Sequence, residues 1–270
     1  MKVRNKVLVV TGGGNGIGQQ VVLEALRRGA KVAAVDIRQE GLDTTAALAD
    51  AGDRLATYVT DITDRGAVEA LPDRIAEALG PVDGVINVAG IIQPFVKLNE
   101  LSYEDIGRVV NVNFWGTVHV VKTFLPGLLE RPEGHVANVS SMGGFLPVPG
   151  QTIYGATKAA VKLMTEGLYA ELIDTEVGVS VIFPGAVSTD ISANSGVTIN
   201  MSEEEMAEAA ANRRSTSPEE AASIILDGIE DDDFHILVGS DAKMMNALTR
   251  VAPKRATHII YSQMKDLLEP

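Results

Sequence analysis

Short apolar runs alternate with longer stretches of helical spacing along most of the chain. Val7–Val10, Val32–Val35, Ala56–Val59, Val85–Asn87, His135–Val139, Val179–Phe183 and Ile236–Val238 read as strands. Several are apolar at successive positions, the pattern of strands covered on both faces. Between them, Ile17–Arg28, Val68–Leu79, Tyr103–Leu129 and Tyr154–Ile173 repeat apolar residues at helical intervals. Regular strand–helix alternation predicts an α/β fold, a doubly wound parallel sheet forming a single domain.

Two regions break the alternation. Residues 186–217 insert a polar segment, with Ser202 placed to cap a helix over Glu203–Asn212. Residues 240–270 continue past the last strand as a helical extension, apolar at Met244, Met245, Leu248, Val251, Ile259, Ile260, Met264, Leu267 and Leu268. Parallel sheets bind ligands at the carboxyl ends of their strands, so the 186–217 insertion is expected to be a substrate lid. The extension has three possible places to bury its apolar face: the chain's own surface, a partner subunit, or the mouth of the pocket.

Charge and composition narrow the function. With 36 acidic against 23 basic residues the net charge is −13, which argues against nucleic acid as a partner. The acidic runs Glu203–Glu205 and Glu230–Asp233 read as solvated surface. There are no cysteines, which removes disulfides and thiolate chemistry. No membrane span or secretory segment is expected, and a cytoplasmic protein is.

Thr11-Gly-Gly-Gly-Asn-Gly-Ile-Gly18 follows the first strand and opens the first helix. Glycine there permits a tight turn and close approach of backbone N–H groups to a pyrophosphate, with the helix N-terminus facing the phosphates. Gly12, Asn15, Gly16, Ile17 and Gly18 are the expected dinucleotide contacts. Asp36 closes the second strand, where a carboxylate binds ribose hydroxyls and repels a 2′-phosphate. Ile37 follows where a basic residue would favour NADP, although Arg38 comes next. The expected cofactor is NAD.

Further along, Ser141 ends a strand, and Tyr154 and Lys158 are spaced to share one helix face. A phenol ionises near pH 10, too high for a base at neutral pH. A nearby ammonium lowers that value, and a hydroxyl can hold a substrate oxygen beside the phenol.

These motifs, in this order, resemble the short-chain dehydrogenase/reductase family in its short, single-domain Rossmann-type form, from about Lys6 to Gly239. Thr11–Gly18 is similar to the family's TGxxxGxG turn. Asp61 looks like its adenine-contacting Asp, with Ile62 beside it. Asn87-Val-Ala-Gly90 is similar to its Asn-Asn-Ala-Gly signature, with Val88 departing from it. Pro184, Gly185 and Thr189 match its PGxxxT segment, within which Val187 is also placed against the cofactor. The resemblance implies contacts to the cofactor from Asp61, Ile62, Asn87, Ala89, Gly90, Tyr154, Lys158, Pro184, Gly185, Val187 and Thr189. It also implies a catalytic set of Asn113, Ser141, Tyr154 and Lys158. Asn113 would lie at a helix irregularity and hold a relay water, and Lys158 would lower the Tyr154 pKa.

Gln93, Phe95, Met142, Phe145, Gln151 and Val187 are expected near the pocket together with Ser141 and Tyr154. Their apolar bias implies a neutral, fairly hydrophobic secondary alcohol or its ketone. The family also implies a homodimer or homotetramer. Two other functions remain: a 3-oxoacyl thioester reductase, disfavoured by Asp36 and the negative charge, and a catalytically silent nucleotide-binding regulator. No G-x-S-x-G elbow and no metal-ligand spacing occurs, so hydrolase and metal chemistry are not expected.

Overall fold

The computed structural model describes residues 1–189, 191–197 and 215–268. Seven strands form one parallel sheet in the order β3-β2-β1-β4-β5-β6-β7: β1 Val7–Thr11, β2 Lys31–Asp36, β3 Leu55–Val59, β4 Gly84–Asn87, β5 Gly134–Val139, β6 Val177–Pro184 and β7 His235–Val238. The order reverses between β1 and β4, which leaves a crevice at their carboxyl ends.

The apolar runs are continuous because each central strand feeds two cores. In β1, Leu8 and Val10 join Val21, Val22 and Ala25 of helix α1 (Gly16–Arg27), with Ile225 and Leu226 of helix Pro218–Glu230. Val7 and Val9 face the other way, toward Ile75, Leu79, Phe124, Leu128 and Leu168. This second layer is built from α4 (Leu71–Leu79), α6 (Thr117–Leu129) and α7 (Thr152–Leu172), after the earlier helices α2 (Gln39–Ala49) and α3 (Arg65–Glu69).

The helix expected over Val68–Leu79 is divided at Ala70, where α3 ends and α4 begins with Pro72 in its first turn. The helix expected over Tyr103–Leu129 is also interrupted. It runs as α5 (Tyr103–Val110), a π turn at Asn111–Gly116, then α6. The helix expected at Glu203–Asn212 behind Ser202 lies outside the described residues.

The extension folds as two helices, Ser240–Val251 and Pro253–Met264. Their inner residues Met245, Ala256 and Ile260, with Leu248 and Met264, form a third small core with Leu146, Met142, Phe145 and Val148. The extension is therefore seated on the chain's own surface, on the segment that follows β5. No helix among the described residues is long and apolar enough to cross a membrane.

Candidate active site

A cleft of about 520 Å³ opens at the β1/β4 switch point. Gly12, Asn15, Gly16, Ile17, Gly18, Asp36, Ile37, Asp61, Ile62, Ala89, Gly90 and Thr189, all predicted cofactor contacts, line it together. The glycines are sterically required. Gly12 has φ +71°, and a Cβ there would lie 2.9 Å from the Ala89 nitrogen. A Cβ on Gly18 would collide with the Gly12 carbonyl. The N-terminus of α1 thus meets the cleft with its backbone bare, which fits a dinucleotide's phosphates. Two residues without a motif brace this turn from behind: Thr45 Oγ1 donates to the Gly13 carbonyl (2.9 Å), and Gln19 Nε2 donates to Thr45 Oγ1 (2.9 Å).

Asp36 holds the other end of the cleft. Its carboxylate accepts from the Gly14 and Arg38 backbone N–H groups, each at 3.0 Å. The Arg38 guanidinium instead donates to Asn194 Oδ1 at 2.7 Å, on the short turn Ile191–Asn194.

Not every predicted contact reaches the cleft. Asn87 is buried, and its amide donates to Asn138 Oδ1 (2.8 Å), so it ties β4 to β5 instead of facing a ligand. The neighbouring turn is held by Thr11 Oγ1, which accepts from the Val88 and Ala89 N–H groups at 3.1 and 3.3 Å. Val88, the departure from the family signature, packs against the core on the α1 side.

Beside the cleft, Ser141 Oγ accepts from the Gly143 N–H at 3.0 Å, and a Cβ on Gly143 would lie 3.4 Å from both Ser141 Oγ and Tyr154 Cε1, so hydroxyl and phenol ring share one corner. Burial pushes the Tyr154 phenol up from its ordinary value, and the nearby Ser141 hydroxyl pulls against it. Lys158 is buried one turn along α7, and burial lowers it to about 8. Its ammonium donates to the Val139 carbonyl (3.0 Å) and lies 5.9 Å from the Tyr154 ring centre. The ammonium is turned toward Val139 and Gly90, and burial dominates the direction of the Tyr154 shift.

The π turn falls where the helix irregularity was expected. A wide turn shifts the phase of the side chains that follow, and Asn113 is fully buried. Its amide donates to the Ile91 carbonyl (2.9 Å) and Thr157 Oγ1 (3.1 Å), and its oxygen accepts from the Ile91 N–H (2.9 Å). Both amide hydrogens are spent, so the side chain is a clamp between the β4 loop and α7. A relay water could bond only to its oxygens.

Gln93 also differs from expectation. It is completely buried and does not line the pocket. Its oxygen accepts from the backbone N–H groups of Ile153 (2.8 Å) and Tyr154 (3.0 Å), and its nitrogen donates to the Gly150 carbonyl (2.8 Å). The first N–H groups of a helix lack intrahelical partners, so Gln93 caps α7 from a distant loop. Gln151 donates to the Gln93 carbonyl at 2.7 Å and is itself buried. Met142 and Phe145 are half-buried beside Ser141, backed by the third core. Replacing Gln93 by Leu should lower Tm by several degrees, since it strands two buried donors at about 1–3 kcal/mol each. Thermal melts check this; an unchanged Tm would contradict the capping role.

Residues 6–200 match the family model described as short chain dehydrogenase. The chain belongs to the short-chain dehydrogenase family. It is therefore an oxidoreductase of that family. It is 35% identical over 250 residues to a Mycobacterium tuberculosis protein named as the oxidoreductase SadH, covering 91% of this chain and 90% of that protein. Among solved structures, a short-chain dehydrogenase from Burkholderia phymatum in complex with NAD superposes with TM-score 0.83 at 28% identity, covering 94% and 95% of the two chains. Another from Burkholderia cenocepacia, in complex with NADP, gives TM-score 0.78 at 25% identity, covering 96% and 99%.

Proposed function

We propose that this short-chain dehydrogenase is an NAD-dependent enzyme that interconverts a neutral, fairly hydrophobic secondary alcohol and its ketone in the cytoplasm. The observation that carries the reading is the grouping of Ser141 Oγ and the Tyr154 ring against Gly143, with buried Lys158 one helical turn along and beside Gly90 of the cleft. A bound NAD would supply the hydride acceptor. Ser141 Oγ would orient the substrate oxygen, and Tyr154 Oη would exchange a proton with that oxygen. Lys158 holds positive charge near the phenol, and Asn113 fixes the loop across from α7. The apolar surroundings of Met142 and Phe145, which pack against the third core, favour an uncharged substrate.

Asp36 supports NAD over NADP, because its carboxylate sits in the cleft and Arg38 is engaged by Asn194. The ratio of kcat/KM values should favour NAD by at least about tenfold, and Asp36→Ala should narrow it. Equal efficiencies in the wild type would count against this assignment. A screen of secondary alcohols with NAD would define the substrate. Exposed Leu163 and Tyr169 on α7 and Ile173 at its C-terminal cap, with Leu129 on α6 and Trp115 in the π turn before it, support a homodimer or homotetramer formed through these helices.

A further inference from the structure

We propose that Asp241 is a positioning residue, whose carboxylate sets the backbone of Gly185–Val187 against the cofactor cleft from outside the doubly wound frame. The inference rests on the reading above, since a dinucleotide is what the segment would be set against.

The chain leaves β6 at Pro184 and crosses to the cleft, where Thr189 contacts the glycine turn: a Cβ on Gly16 would lie 3.4 Å from Thr189 Cγ2. Along the way four hydrogen bonds fix the backbone. Gly185 donates to the Val238 carbonyl (3.0 Å), Ala186 accepts from the Thr216 N–H (2.9 Å), and Ser188 donates to the Thr216 carbonyl (3.2 Å). The fourth is the only one of the four made to a side chain: the Ala186 N–H donates to Asp241 Oδ2 at 2.7 Å. An ionised acceptor makes this kind of bond stronger than its neutral counterparts.

The surroundings are cut to fit this carboxylate. A Cβ on Gly185 would collide with both Asp241 oxygens, and one on Gly239 would lie 2.6 Å from Oδ1. Any side chain at either position would displace the group. Meanwhile Oδ1 is buried without a hydrogen-bond partner among the described residues. An unpaired buried acceptor is a cost to stability. A neutral cap would avoid most of it, so stability alone does not account for an acid at this position. Asp241 also lies in the first turn of helix Ser240–Val251, whose inner face backs Met142 and Phe145. The carboxylate therefore ties the Gly185–Val187 segment to a helix whose other side chains pack against Met142 and Phe145.

The test is NADH binding, read by fluorescence, alongside Tm and steady-state kinetics, for the wild type, Asp241→Asn and Asp241→Ala. Met244→Ala, exposed on the same helix, serves as control. Asp241→Asn keeps the shape and should hold its Tm, yet weaken NADH binding about three- to tenfold. Asp241→Ala should weaken it by at least about tenfold. If Asp241→Ala fails to fold, Asp241→Asn decides alone. Wild-type affinity and kcat/KM in Asp241→Asn would overturn the proposal. So would losses of affinity matched by a proportionate fall in Tm, which would mark the residue as purely structural. If the wild type binds no dinucleotide, the cofactor reading falls and this inference with it.

Discussion

Tyr154→Phe should reduce turnover by more than about a thousandfold while leaving NADH affinity within about threefold of wild type. The variant removes only the phenolic oxygen. That oxygen is not part of the glycine turn or of Asp36, the groups that line the cleft and would hold the phosphates and ribose. Loss of the proton-transfer group should therefore appear in kcat and not in cofactor binding. Steady-state kinetics and fluorescence titration read the two separately. Retention of more than a few per cent of activity would assign the proton transfer to another group.

Lys158→Met should cut kcat/KM by at least about a hundredfold, and it should also change how stability depends on pH. Burial holds Lys158 at about 8, against about 10.4 in an unfolded chain. Between those values the unfolded chain binds the proton and the folded protein does not. Stability of the wild type therefore gains from rising pH across that window, by at most about 1.4 kcal/mol per pH unit from this group. Below about 8 both states are protonated and the full cost of burying the ammonium is present. Methionine does not titrate, so the variant should lack this component. Urea denaturation of both proteins between about pH 7 and 10 should show the wild type gaining up to about 3 kcal/mol relative to the variant. Parallel pH profiles would mean that the folded lysine is solvated enough to keep its ordinary proton affinity.

The strands were legible because burial on both faces leaves continuous apolar runs, as in Val7–Val10. The glycine turn was legible because few residues other than glycine can occupy positions such as Gly12. The break between α5 and α6 was legible only through the family resemblance at Asn113, not from the pattern of apolar positions. Val109, Val110, Val112, Phe114 and Trp115 put apolar groups on most sides of that helix, which hides a one-residue shift of phase. Gln93 was placed near the pocket by its position in the chain, but position does not give direction; its amide points back into the start of α7. Thr45 and Asp241 carry no motif, because each partners a backbone group far away in sequence, at Gly13 and Ala186. Asp36 and Tyr154 stand out in the sequence because their proposed chemistry is tied to a strand end and to a helix spacing.

The third core has an evolutionary consequence. It shares no residue with the two clusters that sandwich the sheet, and it is assembled from the C-terminal helices and the Met142–Val148 segment alone. Substitutions at Met245, Leu248 or Ile260 can therefore recut the ground behind Met142 and Phe145 while leaving the sheet and its two main clusters intact. Variation in this terminal hairpin can accumulate as a separate packing unit, remodelling the support of one loop without disturbing the sheet it is attached to.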